Sequence, residues 1–344
     1  MKKLRIGIVG CGKISEERHT KELATNPKAE LVVFCDIVKE RAIAMAEPFS
    51  ADICEDYREV LVREDVDAVF VCCYNNMHAQ ISIDAMNAGK HVMCEKPMAI
   101  STELCERMIS AAEQNNCTLM VGHNQRLVPS HIKAREIICS KQYGDVITFR
   151  TTFGHRGCEY FSHGGLSTWF FKKAYSGFGA CADLGVHKAD LIRYLLGEEI
   201  AEVSAFAGTL HKRNDKDELI EVEDNAICLL RTESGKIGTL TASWTYAQED
   251  NSTVIQMADR TMRILDDPMA DIQLVDRDGN IEKMWLGGIQ TNKVQFESGI
   301  PAEFVDAVLT GRKPIATGYD GLMGVKIIEG CLESARQGHT IRLK

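Results

Sequence analysis

The sequence lacks several features that would settle its class at once. None of its apolar runs reaches the about 18 residues that a membrane-crossing helix needs. It has no block of Lys and Arg to offset a formal charge of −9, so nucleic acid is not an expected partner. The N-terminal run Met1-Lys2-Lys3-Leu4-Arg5 passes straight into a strand-like segment, without the apolar core of a secretory signal. Thirteen cysteines are present, yet none pairs as Cys-x-x-Cys, so no structural zinc is expected. The expectation is a cytoplasmic protein that touches no membrane, binds no metal and keeps its thiols reduced and mostly buried. There is no internal repeat and no low-complexity segment.

What is present is ordinary in bulk and ordered in pattern. With 344 residues, 45% hydrophobic and 26% charged, the chain is long enough for two domains. Up to residue 122, strand-like runs (4–9, 30–35, 67–73, 90–94, 118–122) alternate with helix-like stretches (13–26, 38–48, 77–88, 102–115). Several runs are apolar throughout, as when helices cover both faces of a parallel sheet. This predicts an α/β fold that opens with a doubly wound Rossmann sheet. Beyond residue 123 come helices near 129–139 and 183–196 and strand-like runs at 146–153, 199–208, 222–231, 236–246, 254–257 and 272–276. Two helices follow, at 301–310 and 319–337. The expected division is a nucleotide-binding domain over 1–123 and an α/β domain with a largely antiparallel open sheet over 124–344.

The first strand ends in Gly10-Cys11-Gly12-Lys13-Ile14-Ser15. Glycines in a strand-to-helix turn let the chain bend sharply and approach a pyrophosphate, which the following helix start attracts. Ser15 stands where a third glycine is usual and is small enough for close packing. Asp36 ends the second strand, twenty-four residues after Gly12. A carboxylate there accepts ribose hydroxyls and repels a 2′-phosphate, so NAD is expected rather than NADP. Gly10, Gly12, Lys13, Ile14 and Asp36 are the cofactor-binding candidates, while Arg41 is expected on a helix facing away.

The strand-like run His91-Val92-Met93-Cys94 ends in Glu95-Lys96-Pro97. Taken alone, this fits a solvated lysine in a turn. At the carboxyl edge of a parallel sheet it sits where ligands bind, and an ammonium there can steady a developing alkoxide. Pro97 restricts the turn and suits a preceding cis bond; Glu95 is placed to tune its neighbour. Further on, Asp183 and His187 lie four apart at a helix start, behind Gly177 and Gly179. They share one face, and histidine suits proton transfer near neutrality.

The glycine turn, Asp36, Asn76 and His78, Gly89 to Pro97, and Asp183 to His187 occur in one order along the whole chain. Together they resemble the glucose–fructose oxidoreductase / inositol dehydrogenase / rhizopine-catabolism (Gfo/Idh/MocA) family. The resemblance implies an NAD-dependent oxidoreductase with Lys96, Asp183 and His187 at the catalytic positions. His187 would be the general base, with Lys96 and Asp183 holding the reacting hydroxyl. It adds Asn76, His78, Glu95 and Lys96 to the cofactor side and implies a homodimer or homotetramer through the second sheet. Tyr74 and Asn75 depart from the family's Thr-Pro-Asn.

The expected reaction is oxidation of a secondary hydroxyl on a sugar, glycoside or cyclic polyol. The same residues would serve an NAD-dependent glycosidase working by transient oxidation and elimination, or be idle in a dinucleotide sensor. Polar and aromatic residues before the second helix, His155, Tyr160 and Trp169, are substrate-binding candidates with Arg126, Lys96, Asp183 and His187. Arg156 and Glu159 alongside His155 and Tyr160 would favour a glycoside over a bare cyclitol.

Overall fold

The computed structural model describes residues 3–287 and 297–343, so Met1 and Lys2 lie outside the described residues. Its first part carries strands β1 (Leu4–Val9), β2 (Ala29–Cys35), β3 (Asp52–Cys54), β4 (Ala68–Val71), β5 (His91–Cys94) and β6 (Leu119–Val121). Between them run helices α1 (Thr20–Thr25), α2 (Lys39–Ala46), α3 (Tyr57–Leu61), α4 (Asn75–Asn87) and α5 (Thr102–Gln114). The strands pair in the order β3-β2-β1-β4-β5-β6, every pair parallel. This is the doubly wound order. Growth of the sheet reverses between β1 and β4, and ligands bind beyond the carboxyl ends at that reversal. All four residues of β4 are fully buried, as required when helices cover both faces.

The sequence reading passed over β3 and α3. Both are short, and Asp52-Ile53-Cys54 has too few residues to show an alternation.

The remainder holds α6 (Pro129–Ser140), β7 (Val146–Gly154), α7 (Lys173–Ser176), α8 (Val186–Leu196), β8 (Ile200–Gly208), β9 (Asn225–Thr232) and β10 (Ile237–Ser243). It continues with β11 (Thr253–Met257), β12 (Thr261–Asp267), β13 (Ala270–Val275), β14 (Ile281–Met284), α9 (Ile300–Thr310), α10 (Gly318–Gln337) and β15 (Ile341–Arg342). The second sheet runs β14-β13-β12-β11-β7-β10-β9-β8-β15. Its pairs are antiparallel apart from β7 with β10. β9 begins at Asn225 rather than 222, because the Asp224 carboxylate accepts the backbone N–H groups of Leu210, His211 and Lys212 and turns the chain there. One face of the sheet packs its apolar residues, Trp244, Leu240 and Ile264 among them, into the core. On the other face Ile227 and Leu229 of β9 are exposed, alternating with buried Ala226, Cys228 and Leu230, and the Phe206 side chain of β8 stands 88% exposed.

Of the last two helices, α9 leaves the second sheet, while α10 packs Ile327, Ile328 and Cys331 into the second core. α9 returns to the first: Ile300, Phe304 and Val305 join its core, and Phe304 meets Phe70 edge to face at 5.3 Å. Burying a phenylalanine contributes about 1.5–3 kcal/mol. α10 opens with a capping box of Thr317 and Asp320. Just before it, Val121 N–H donates to the Ala316 carbonyl, tying the helix to β6. Sequence order therefore misplaced 300–310, which reads as a continuation of the second domain but fills a hydrophobic gap in the first. Among the described residues no helix is long and apolar enough to cross a membrane. All thirteen cysteines are free and nine of them are buried.

Candidate active site

A cleft of about 1000 Å³ opens between the two sheets at the carboxyl edge of the first. The glycine turn forms one end. Gly10 has φ +99°, and a Cβ there would meet the Cys72 backbone at 2.6 Å, so only glycine fits. A Cβ on Gly12 would meet nothing within 4 Å; the backbone here faces open cleft, which suits close approach by a phosphate. Ser15 donates its hydroxyl hydrogen to the Gly10 carbonyl at 2.6 Å and closes the turn. Lys13 and Ile14 line the cleft beside it. Asp36 accepts from the N–H groups of Cys11 and Val38, both at 2.8 Å, which fixes its carboxylate at the far end. These residues fit the phosphates and adenosine ribose of a dinucleotide. Arg41 also lines the cleft, contrary to expectation: α2 starts at Lys39, and its first turn faces the nucleotide end.

Lys96 and Asp183 meet at the other end. Lys96 Nζ donates to Asp183 Oδ1 and to the Asp183 carbonyl, both at 2.9 Å. The Lys96–Pro97 bond is cis. Trp244 Nε1–H donates to Asp183 Oδ2 at 3.0 Å. Burial alone would push the Asp183 carboxyl up, but Lys96, then His155, outweigh it and hold it below the usual range. His155 Nδ1 accepts from Gly157 N–H at 3.0 Å, so its proton sits on Nε2, which faces Asp183 Oδ2 at 3.9 Å. His187 lines the same space. Burial, reinforced by the Lys96 charge, holds its imidazole well below its ordinary pKa, so it stands neutral and able to accept a proton.

The helix that carries this pair is shaped before it begins. Cys181–Gly185 forms a single wide π turn leading into α8, a feature frequent at functional sites. Glu223 accepts from the N–H groups of Gly179 and Cys181 at 2.8 and 3.1 Å. A Cβ on Gly179 would lie 1.9 Å from the Glu223 carbonyl oxygen, which is why a glycine precedes the turn. Burial pushes the Glu223 carboxyl up to about 7. Glu95 does not reach toward Lys96 Nζ. Its Oε1 meets His19 Nε2 at 2.6 Å and its Oε2 accepts the Lys96 backbone N–H at 3.1 Å. Burial opposes ionisation of Glu95, but the His19 hydrogen bond and nearby positive charge bring its carboxyl down to about 2. His78 Nδ1 lies 2.8 Å from the Pro97 carbonyl and Nε2 3.2 Å from the Cys73 carbonyl, so the ring sits between the two loops and, when neutral, donates its one N–H to one of them.

Three expected site residues lie elsewhere. Asn76 does not line the cleft; Asn75 does, and its Nδ2 donates to the Ser176 carbonyl at 3.0 Å. Of this first turn of α4, Asn75, Met77 and His78 line the cleft and Asn76 does not. Arg126 is buried in an ion cluster, donating to Asp190 at 2.6 and 2.8 Å, to Asp320 at 2.7 Å and to the Ile315 carbonyl at 2.7 Å. Its charge is consumed in joining α8 to α10. Tyr160 is 59% exposed and lies under Arg156 and Lys212, while Glu159 pairs with Lys212. Arg156, Glu159 and Tyr160 do not line the cleft, so they do not form the sugar pocket expected of them. Trp169 does line the cleft, and with it come Phe161 and Phe170 of the same aromatic segments, and Tyr74. Tyr74 was visible only as a departure from a motif.

A dinucleotide turn at one end and a Lys–Asp–His group at the other define an NAD-binding oxidoreductase of two sheets. Residues 4–123 match the oxidoreductase family, NAD-binding Rossmann fold, GFO_IDH_MocA, and residues 131–263 match the GFO/IDH/MocA C-terminal domain. The chain belongs to the GFO/IDH/MocA family. It is similar to myo-inositol 2-dehydrogenase of Thermotoga maritima, 26% identical over 351 residues that cover 99% of both chains. The aldose-aldose oxidoreductase of Caulobacter crescentus has a similar structure, with TM-score 0.85, 27% identity and coverage of 99% of this chain and 100% of that one. Levoglucosan dehydrogenase in complex with NADH and levoglucosan shares the fold at TM-score 0.88 and 23% identity, covering 99% of this chain and 100% of that one.

Five buried histidines, His78, His123, His131, His155 and His187, have pKa values lowered chiefly by burial, His131 to about 3. The unfolded chain protonates them near 6.5, whereas the folded chain resists. Unfolding therefore takes up protons below that pH, and stability falls as pH drops. Urea midpoints should decline from about pH 6.5 downward, offset in part by Glu223, whose carboxyl takes up its proton earlier in the folded chain; a flat profile to pH 5 would contradict the neutral imidazoles.

Proposed function

We propose that the protein oxidises a secondary hydroxyl of a sugar, glycoside or cyclic polyol, with NAD as acceptor. The observation that carries this reading is the meeting of Lys96, ionised Asp183 and neutral His187 at the carboxyl edge of the dinucleotide sheet. A substrate hydroxyl placed between them donates its proton to His187. Lys96 hydrogen-bonds the same oxygen and stabilises the negative charge that develops as the proton leaves. Asp183, held by Trp244, fixes the ammonium and keeps its charge aimed at that oxygen. NAD, when bound, supplies the ring carbon that accepts the hydride. The turn at Gly10–Ile14 and the Asp36 carboxylate would hold it. The similarity to a myo-inositol dehydrogenase along the full chain supports a hydroxylated ring as substrate.

Replacing His187 or Lys96 by Ala should lower kcat by roughly a hundredfold or more, the usual contribution of a positioned acid or base. NADH should still bind, as read by its fluorescence. Near-normal turnover in either variant would remove that residue from the chemistry.

Asp36 also predicts coenzyme choice. Its charge opposes a 2′-phosphate, so kcat/KM should be higher with NAD than with NADP; equal or reversed values would sink the assignment.

The outer face of the second sheet, with Phe206, Ile227 and Leu229 exposed, suits pairing between copies of the chain. Light scattering should report a dimer or tetramer, and Leu229→Asp should shift it toward monomer. A monomeric parent protein would rule this face out as an interface.

A further inference from the structure

The cleft has an aromatic wall that hydride transfer alone does not require. It starts at the reacting centre. Trp244, which holds Asp183, meets Phe170 edge to face at 6.4 Å, and Phe170 stacks on Trp169 at 3.9 Å with the planes 25° apart. A second line leaves the same carboxylate through His155, which faces Phe161 at 5.6 Å; Phe161 then meets Phe170 at 6.1 Å. Tyr74 braces the wall from the other sheet, 5.2 Å from Trp169 and 5.3 Å from Tyr175. Phe161, Trp169 and Phe170 all line the cleft, and Phe161 is 43% exposed. This arrangement leaves large ring faces toward solvent beside a site that handles a polar hydroxyl.

Resting on the dehydrogenase reading above, we propose that Phe161, Trp169 and Phe170 form a subsite for an aromatic aglycone, and that the substrates are aryl glycosides oxidised on the sugar ring. The sugar hydroxyl sits at Lys96 and His187, while the planar substituent lies along the rings. The phenyl groups of Phe161 and Phe170 offer no hydrogen-bonding atoms, so a second sugar's hydroxyls would find no partners on them, whereas an aryl ring gains offset and edge contacts. The charged residues first expected to mark a glycoside pocket, Arg156 and Glu159, are engaged outside the cleft; the aromatic residues supply the selectivity instead. Chemically the step stays balanced: one ring C–H gives its hydride to NAD, the hydroxyl gives its proton to His187, a ketone forms, and the glycosidic bond remains intact.

The test compares phenyl β-D-glucoside, methyl β-D-glucoside, D-glucose and myo-inositol in NADH formation by the purified enzyme. Binding is read separately, by quenching of tryptophan emission with the two glucosides. The expected result is a kcat/KM at least about tenfold higher for the phenyl than for the methyl glucoside, the scale of one well-packed ring. Phenyl glucoside should also quench emission at lower concentration. Phe161→Ala, at an exposed position, should collapse the phenyl-to-methyl ratio toward one. Turnover of both glucosides with equal kcat/KM, a ratio unaffected by Phe161→Ala, or activity on inositol or glucose alone would overturn the subsite and leave the dehydrogenase reading standing. NAD binding without NADH formation from any of the four would overturn both.

Discussion

The contact between Lys96 and Asp183 joins the two sheets at the candidate site. Lys96 follows β5 of the first sheet, and Asp183 precedes α8 on the second. Each is incomplete without the other. Asp183 is buried, and an unpaired carboxylate there would be driven to take up a proton; an ammonium at the sheet edge without Asp183 would swing into solvent. Losing one partner of a buried pair costs about 3–5 kcal/mol, and the 18% exposure of the Lys96 side chain places this one toward the lower end. In the reaction proposed above, the same pairing would hold the charge that the reacting oxygen meets.

Around that pair the protein spends several buried polar groups on position. Glu95 grips the Lys96 backbone while anchored by His19, from the turn that follows the glycine loop. Glu223 holds the N–H groups ahead of Asp183, and Trp244 holds the carboxylate itself. His19, Glu223 and Trp244 each come from a distant part of the chain. The cost of burying them is met by hydrogen bonds, and the result is a site whose charges are oriented before substrate arrives. Outside the cleft lining, Arg126 with Asp190 and Asp320 does comparable work in joining α8 to α10.

The α/β class, the parallel first sheet and the largely antiparallel second sheet were readable because they rest on local periodicity, whereas the parallel pairing of β7 with β10 was not. Runs such as Ala68–Val71, buried on both faces, look the same in sequence and in structure. The glycine turn was readable for a related reason: Gly10 is demanded by its own backbone angle and by the Cys72 backbone just beyond. Lys96, Asp183 and His187 were readable as types and spacings, and the cleft gathers all three.

What the sequence determined by itself was therefore what depends on nearest neighbours along the chain: strand and helix periods, the tight turn, the i,i+4 relation of Asp183 and His187. Only the tertiary structure decided which polar residues face one another. Arg126 and Tyr160 have side chains suited to a sugar, yet the first is claimed by Asp190 and the second is exposed beneath Arg156 and Lys212. Asn75 rather than Asn76 faces the cleft and donates to the Ser176 carbonyl. Phe304 serves the first sheet although it lies late in the chain. In each case the deciding partner is far away in sequence. A buried charge or ring goes where its desolvation is compensated, and that place is set by the packing of the whole chain.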